Sequence, residues 1–122
     1  MKNECLFCKI ANKEQDALIL YEDEIVIVFM DAFPNCDGHV LIVPKVHYET
    51  IYDLEDEVFL HINKIAKEYG KILMKKLDKS AMTFLINYGD EQIIKHFHLH
   101  LLPNKQEPAS LTKEEVFKKV ME

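Results

Sequence analysis

Residues 94–103 read IKHFHLHLLP. Histidine takes alternate positions at His96, His98 and His100, with Phe97, Leu99 and Leu101 between and after them. Successive side chains of an extended strand point to opposite faces, so the three imidazoles share one face and the apolar set shares the other. The apolar face takes the core, which leaves the imidazoles turned toward solvent or a cleft. One histidine so placed is ordinary for an amphipathic strand; three in strict alternation call for a chemical reason. A single metal held by all three is a poor answer. At ~3.3 Å per residue the outer two α-carbons lie ~13 Å apart, whereas ligand nitrogens must come within ~2.1 Å of one ion. A division of labour fits better, with one neutral imidazole acting as a nucleophile toward phosphorus, because imidazole is uncharged and basic near neutral pH.

Outward from this stretch, MTFLINYG (82–89) and KHFHLHLLP (95–103) read as a strand pair around the tight YGDEQ connection. Two β-branched runs, Ala17 to Tyr21 and Ile25 to Phe29, flank the acidic turn Glu22, Asp23 and Glu24 and predict a hairpin. FPNCDG (33–38) collects turn formers, and HVLIVP (39–44) after it predicts a mostly buried strand. From Asp53 to about Leu77 apolar residues recur at steps of three and four, at Leu54, Val58, Ile62, Ile65, Tyr69, Ile72 and Leu73, the mark of one helical face. Gly70 interrupts that helix, which implies a bend or close packing there. SLTKEEVFKKV (110–120) predicts a second helix capped at Ser110 or Thr112. The order β-β-β-α-β-β-α, with short turns between neighbouring strands, predicts an α+β fold: a mostly antiparallel sheet of about five strands under one long helix.

The chain has 122 residues, enough for one domain with a core that needs no disulfide staples. Its 48% hydrophobic and 30% charged content is that of a globular protein, and no apolar run approaches the ~20 residues that span a bilayer. MKNECLFCKI at the start lacks a long apolar segment followed by a cleavage site, which points to the cytoplasm. Three cysteines, two of them spaced Cys5-x-x-Cys8, point in a reducing compartment to metal or redox chemistry rather than disulfides. The redox reading is the weaker, since no βαβ pattern follows the pair. A net charge of -6 argues against nucleic acid polymers as partners, whose backbones call for clustered Lys and Arg. A single pocket can still oppose that sign and take a small nucleotide.

HFHLHLL (96–102) resembles the signature of the histidine triad (HIT) superfamily of nucleotide hydrolases and transferases. CLFCKI (5–10), FMDAFPNCDGHVLIVPKVH (29–47) and NYG (87–89) resemble its other landmarks in order and rough spacing. The resemblance implies a homodimer whose two subunits join their sheets into one. It also implies attack by the middle histidine on the α-phosphorus of a nucleotide, a covalent nucleotidyl-histidine, and its hydrolysis by water. Carried over, the nucleophile is His98; His100 contacts the phosphate or assists the leaving group, and His39 joins the imidazole cluster. Asp31 resembles the ribose-binding acid, and Leu6, Phe7, Ile10 and Phe29 the apolar walls of a base pocket, with a purine, adenosine foremost, as the expected nucleoside. Asn87 and Gln92 resemble polar residues near the phosphate. Cys5, Cys8, His47 and His96 resemble the structural zinc ligands of the C-x-x-C branch, in which case the three strand histidines are a ligand, a nucleophile and a phosphate contact. Cys36 reads as an unremarkable thiol and His61 as a surface or packing residue.

The chain departs from that pattern between NYG and the triad, where the link GDEQIIKH is about two residues short. Glu91 stands where glycine is common and Ile93 where Ser or Thr is common. Without that hydroxyl, leaving-group protonation falls to His100, another residue or water. The expected activity is therefore hydrolysis of a nucleoside 5′-monophosphate carrying a leaving group on its α-phosphate: a phosphoramidate, an aminoacyl adenylate or a dinucleoside polyphosphate. The alternative is a zinc-stabilised nucleotide-binding module with little turnover.

Overall fold

In the computed structural model, which describes residues 5–122, the β-branched and aromatic runs form five strands. These are β1 (Ile19–Glu22), β2 (Val26–Met30), β3 (Val40–Pro44), β4 (Met82–Ile86) and β5 (Leu99–Pro103). All neighbours pair antiparallel in the order β1-β2-β3-β5-β4, which makes β1 and β4 the edges. Three helices complete an α+β fold: α1 (Leu6–Ala11), α2 (Asp56–Leu77) and α3 (Lys113–Met121). No helix among the described residues is long and apolar enough to cross a membrane.

Residues directly opposite in a ladder share a face, so the register sorts the core into two layers. On one face Val26, Val28, Met30, Val40, Ile42, Leu99 and Leu101 pack with Ile62, Ile65 and Leu73 of α2 and Val116 and Val120 of α3. On the other, Ile27, Phe29, Leu41 and Val43 pack with Phe7 and Ile10 of α1. His100 pairs with Leu41 and therefore belongs to this second face. Covering both faces explains why every residue of β2 and β3 is buried, since a strand roofed on each side has no polar half.

The helix α1 is not among the expected elements: CLFCKI reads from sequence as a C-x-x-C segment with apolar residues resembling pocket walls, not as a helix. It is one and a half turns long with too short an apolar period to detect, and it is capped by sulfur, the Cys8 N–H donating to Cys5 Sγ at 3.4 Å. Of the two settings expected for the imidazoles, solvent or a cleft, it leaves the covered one, with His96 0% and His98 8% exposed. At Gly70 the sequence left a bend or close packing open; packing accounts for it, because a Cβ there would lie 3.3 Å from the Phe84 ring. Gly38, at φ +90, lets the loop turn sharply into His39, and a Cβ would strike Leu77 Cδ1 at 2.6 Å.

Loop and helix ends are fixed by side chains. Thr112 and Glu115 form a reciprocal capping box at the start of α3. Asp37 accepts from Ser110 N, Ser110 Oγ and Leu111 N at 3.0, 2.8 and 3.0 Å, tying the loop before β3 to the approach to α3. Burial works to raise the Asp37 carboxyl, but these bonds outweigh it and hold it below its ordinary value. His61, expected only to pack or face solvent, lies 2.7 Å from Asp23 Oδ2 and pins the β1–β2 turn to α2. Cys36 is buried, and desolvation pushes its thiol up to about 11, an inert state for a thiol.

Candidate functional site

Four ligand-type atoms converge beneath α1. Cys5 caps the helix and Cys8 follows one turn later, so both sulfurs project from its N-terminal end. His47 follows β3 and His96 precedes β5. His96 Nδ1 lies 3.3 Å from Cys5 Sγ, 3.5 Å from Cys8 Sγ and 3.2 Å from His47 Nδ1; Cys8 Sγ lies 3.2 Å from His47 Nδ1. All four atoms fall within 4.8 Å of one another. A tetrahedron with Zn–N near ~2.0 Å and Zn–S near ~2.3 Å has edges of roughly 3.3–3.8 Å, so the spacing suits a single ion. Two thiols and two imidazoles are also a donor set of the right softness for zinc.

The second nitrogen of His96 completes that picture. His96 Nε2 is 2.8 Å from the Pro44 carbonyl, which can only accept, so Nε2 carries the hydrogen and Nδ1 turns its lone pair toward the sulfurs. Burial pushes the His96 ring down to about 4, which keeps it neutral and able to ligate.

A different arrangement lies toward the start of β3. Asp31, His39 and His100 also bring ligand-type atoms within 4.8 Å. Here, however, the backbone N–H of Asn35 donates to His39 Nδ1 at 3.2 Å. A neutral imidazole has one acceptor and one donor nitrogen, so His39 Nε2 carries a hydrogen. It donates to His100 Nδ1 at 2.9 Å, with Asp31 Oδ2 nearby at 3.5 Å. His100 Nε2 in turn keeps its hydrogen. Donors and acceptors alternate along this chain, and no set of lone pairs converges on an ion. Burial, opposed by the charge of Asp31, lowers the His39 ring, and burial followed by the neighbouring His98 and His39 pushes His100 down to about 4. Both rings are neutral near pH 7.

Between these clusters sits His98. Its Nδ1 is 2.8 Å from the His96 carbonyl and must donate, which leaves the lone pair on Nε2. The Phe7 ring packs edge-on at 5.1 Å between centroids, and burial lowers the ring below its ordinary value. Asn87 lies just past the end of β4, whose Leu85 pairs with His100.

A cavity of about 240 Å³ opens next to this face. Of the expected base-pocket and ribose residues it brings together Leu6, Phe7, Ile10, Phe29 and Asp31. Gln15, Asp16 and Lys113 also line it, and these were not legible as site residues, because they come from a loop and from the start of α3. The Pro44 carbonyl and the Asn35 N–H, which set the two key tautomers, have no side-chain signature at all. Asn87 and Gln92 lie outside the lining. Gln92 is 2% exposed and donates to the carbonyls of Glu49 at 2.6 Å and Ile94 at 3.1 Å, so its amide is turned inward.

The chain is similar to known proteins over most of its length. Residues 4–115 match the family model described as "Scavenger mRNA decapping enzyme C-term binding". An uncharacterised HIT-like protein of Methanocaldococcus jannaschii is 36% identical over 89% of this chain and 85% of its own length. The adenosine 5′-monophosphoramidase HNT1 of Saccharomyces cerevisiae is 36% identical over 88% of this chain and 66% of its own. The adenylylsulfatase HINT3 of Arabidopsis thaliana is 32% identical over 87% of this chain, which spans only 55% of the plant protein. Among solved structures, a Zn-bound histidine triad family protein from Mycobacterium smegmatis superposes with a TM-score of 0.90, covering 99% of this chain and 93% of its own at 24% identity.

Proposed function

Because the chain belongs to the histidine triad family, we propose that it is a nucleotide hydrolase cleaving the bond between a nucleoside 5′-monophosphate and a leaving group on the α-phosphate. The observation that carries this reading is the tautomer of His98: with Nδ1 committed to the His96 carbonyl, the Nε2 lone pair is the nucleophile. Nε2 attacks the α-phosphorus, the bond to the leaving group breaks with its electron pair, and a nucleotidyl-His98 forms. Water then attacks the same phosphorus and releases the monophosphate and the neutral ring. His100, oriented by His39 Nε2–H, offers its own Nε2–H to a phosphate oxygen or to the departing group. Leu6, Phe7, Ile10 and Phe29 grip a purine, with adenosine as the expected nucleoside. Asp31 accepts from the ribose hydroxyls, and Asn87 reaches the phosphate from the neighbouring strand.

Cys5, Cys8, His47 and His96 would hold one zinc in a closed, structural tetrahedron, which would fasten α1 over the histidine face. The names of the yeast phosphoramidase and the plant adenylylsulfatase support an adenylate substrate with a variable leaving group. A homodimer is supported by β4, an edge strand that presents Phe84 at 53% exposure; sedimentation at micromolar concentration is expected to give about twice 14.3 kDa. The alternative, a nucleotide-binding module with little turnover, draws on Ile93, 88% exposed in the short loop where a hydroxyl is common.

The deciding experiment incubates the purified protein with adenosine phosphoramidate, adenylylsulfate, an aminoacyl adenylate and a dinucleoside polyphosphate and follows monophosphate release. His98→Asn is expected to lower hydrolysis by several orders of magnitude while nucleotide binding stays within about tenfold, roughly 1.4 kcal/mol. Retained hydrolysis in that variant refutes nucleophilic His98. Nucleotide binding with no turnover of any compound by the unaltered protein gives the binding module the lead.

A further inference from the structure

The segment 44–49, which carries His47, and the segment 92–97, which carries His96, are laced together by three hydrogen bonds that do not involve the four converging ligand atoms. His96 Nε2–H donates to the Pro44 carbonyl at 2.8 Å, and the Phe97 N–H donates to the Tyr48 carbonyl at 2.7 Å. The third is the side-chain amide of Gln92, whose Nε2 bridges the Glu49 and Ile94 carbonyls. Glu49 lies two residues after His47 and Ile94 two residues before His96. One amide thus joins both histidine-bearing segments just beyond the candidate ligands. We infer that Gln92 is a positioning residue for the metal centre: its amide clamps the two segments together and holds His47 and His96 at ligand spacing. This rests on the zinc reading of the Cys5, Cys8, His47 and His96 cluster.

Two features favour the clamp over a purely packing role. Gln92 Oε1 is buried and meets no hydrogen-bond donor among the described residues. An unmatched buried acceptor is costly, so an apolar residue of similar length would pack at lower cost unless the two donors were needed. The short connection also has no freedom to waste: Lys95 Nζ donates to the Gly89 and Gln92 carbonyls at 3.1 and 2.7 Å, closing the loop on itself around the inward-turned side chain. A substrate contact, the role expected from the family resemblance, does not suit a side chain that lines no part of the nucleotide cavity and has spent both hydrogens on backbone carbonyls. Ligand-orienting groups outside a metal's immediate partners commonly carry 10–100-fold in affinity.

The test compares the unaltered protein with Gln92→Met, which keeps length and bulk but donates nothing. Zinc affinity is read by competition with a chromogenic chelator, and melting is followed in zinc-loaded and metal-free forms. Gln92→Met is expected to weaken zinc binding by about 10–100-fold and to lower melting of the loaded form more than that of the metal-free form. His61→Gln, which replaces the ring at the Asp23 contact between the β1–β2 turn and α2 and weakens that contact, serves as the control and is expected to lower both forms alike with zinc affinity unchanged. The tetrahedral absorption of a cobalt-substituted sample is expected to shift in Gln92→Met and not in His61→Gln. If Gln92→Met does not fold, Gln92→Glu, with at most one hydrogen to offer, replaces it under the same criteria. Unchanged zinc affinity, or an equal loss of melting in both forms, overturns the clamp while leaving the zinc reading intact. Failure of the unaltered protein to take up zinc overturns both.

Discussion

Two histidine clusters lie on either side of His98 and differ in what their nitrogens can do. Around Cys5, Cys8, His47 and His96, acceptor atoms converge within reach of one ion. Around Asp31, His39 and His100 the atoms are as close, yet each hydrogen is passed to the next ring. The residue types do not decide this, since both clusters contain two imidazoles and acidic or acidifiable partners. The backbone decides it. The Pro44 carbonyl can only accept and so frees His96 Nδ1 for a ligand role, whereas the Asn35 N–H can only donate and so consumes His39 Nδ1. Distance alone does not tell the two apart; the partner of each second nitrogen separates a metal site from a proton-ordered one.

The sharpest way to break the comparison is to remove a sulfur. Because ligand binding contributes directly to folding at a structural zinc site, the unaltered protein is expected to hold about one zinc per chain. Cys8→Ser should lose most of that zinc and melt about 10 °C or more lower, roughly 3 kcal/mol or more. Metal analysis and scanning calorimetry read both quantities. A stable metal-free protein whose melting does not respond to strong chelation would leave the four-atom convergence without a tenant. Asp31→Asn, by contrast, should change zinc content not at all, because the carboxylate belongs to the other cluster.

The sequence carried the succession of strands along the chain, the long helix and the members of both clusters for identifiable reasons, although the strand expected over 95–103 forms only over Leu99–Pro103 and leaves His96 and His98 ahead of it. Alternation in residues 96–101 and a helical period from Leu54 to Leu73 are dense signals, and the C-x-x-C, HVLIVP and HFHLHLL segments resemble a family closely enough to name residues. What stayed hidden is what depends on through-space partners. The helix α1 is too short for its period to show, so the alternation left solvent and a cleft both open for the histidines, and it is the packing of Phe7 on His98 that decides for the cleft. His61 and Asp23 meet across 38 residues with no local pattern. Gln92 was legible as a residue but not in its direction, because a short loop can turn a side chain either way. Lys113 reaches the cavity only through the packing of α3, which Asp37 fixes from the far side of the β2–β3 loop.

A smaller effect sharpens the second cluster. His39→Gln keeps a hydrogen-bonding group near His100 but cannot reproduce the ordered ring-to-ring contact at 2.9 Å. Turnover is expected to fall by about 10–100-fold, roughly 1.4–2.7 kcal/mol in the barrier, with zinc content and melting of the loaded protein nearly unchanged. Steady-state kinetics beside metal analysis make the separation. A matching loss of zinc in His39→Gln would show that the clusters are one unit and that the division drawn between them is wrong.

The smallest expected effect is on stability against pH, and it tests the proton order itself. Burial, with His98 and His39 adding to it, pushes His100 down to about 4 from 6.5, and burial lowers His39 as well. The unfolded chain takes up a proton on such a ring near its ordinary value, whereas the folded chain does not do so until about 4. Between those values the unfolded state binds more protons, so this contribution to stability is fully present above about 6.5 and is lost as pH falls toward 4. The physical cause lies in the contact: a proton on His100 Nδ1 would face the hydrogen already on His39 Nε2 and break the chain from Asn35 onward. Urea unfolding at about pH 7, 6 and 5 should show a steeper loss for the unaltered protein than for His100→Gln, which has no ring to protonate there. Both are measured at the same metal loading, so that protonation of the zinc ligands cancels in the difference. Parallel pH slopes would mean that His100 accepts a proton in the folded state as readily as in the unfolded one, and the alternation of donors and acceptors could not then be what distinguishes this cluster from the metal centre.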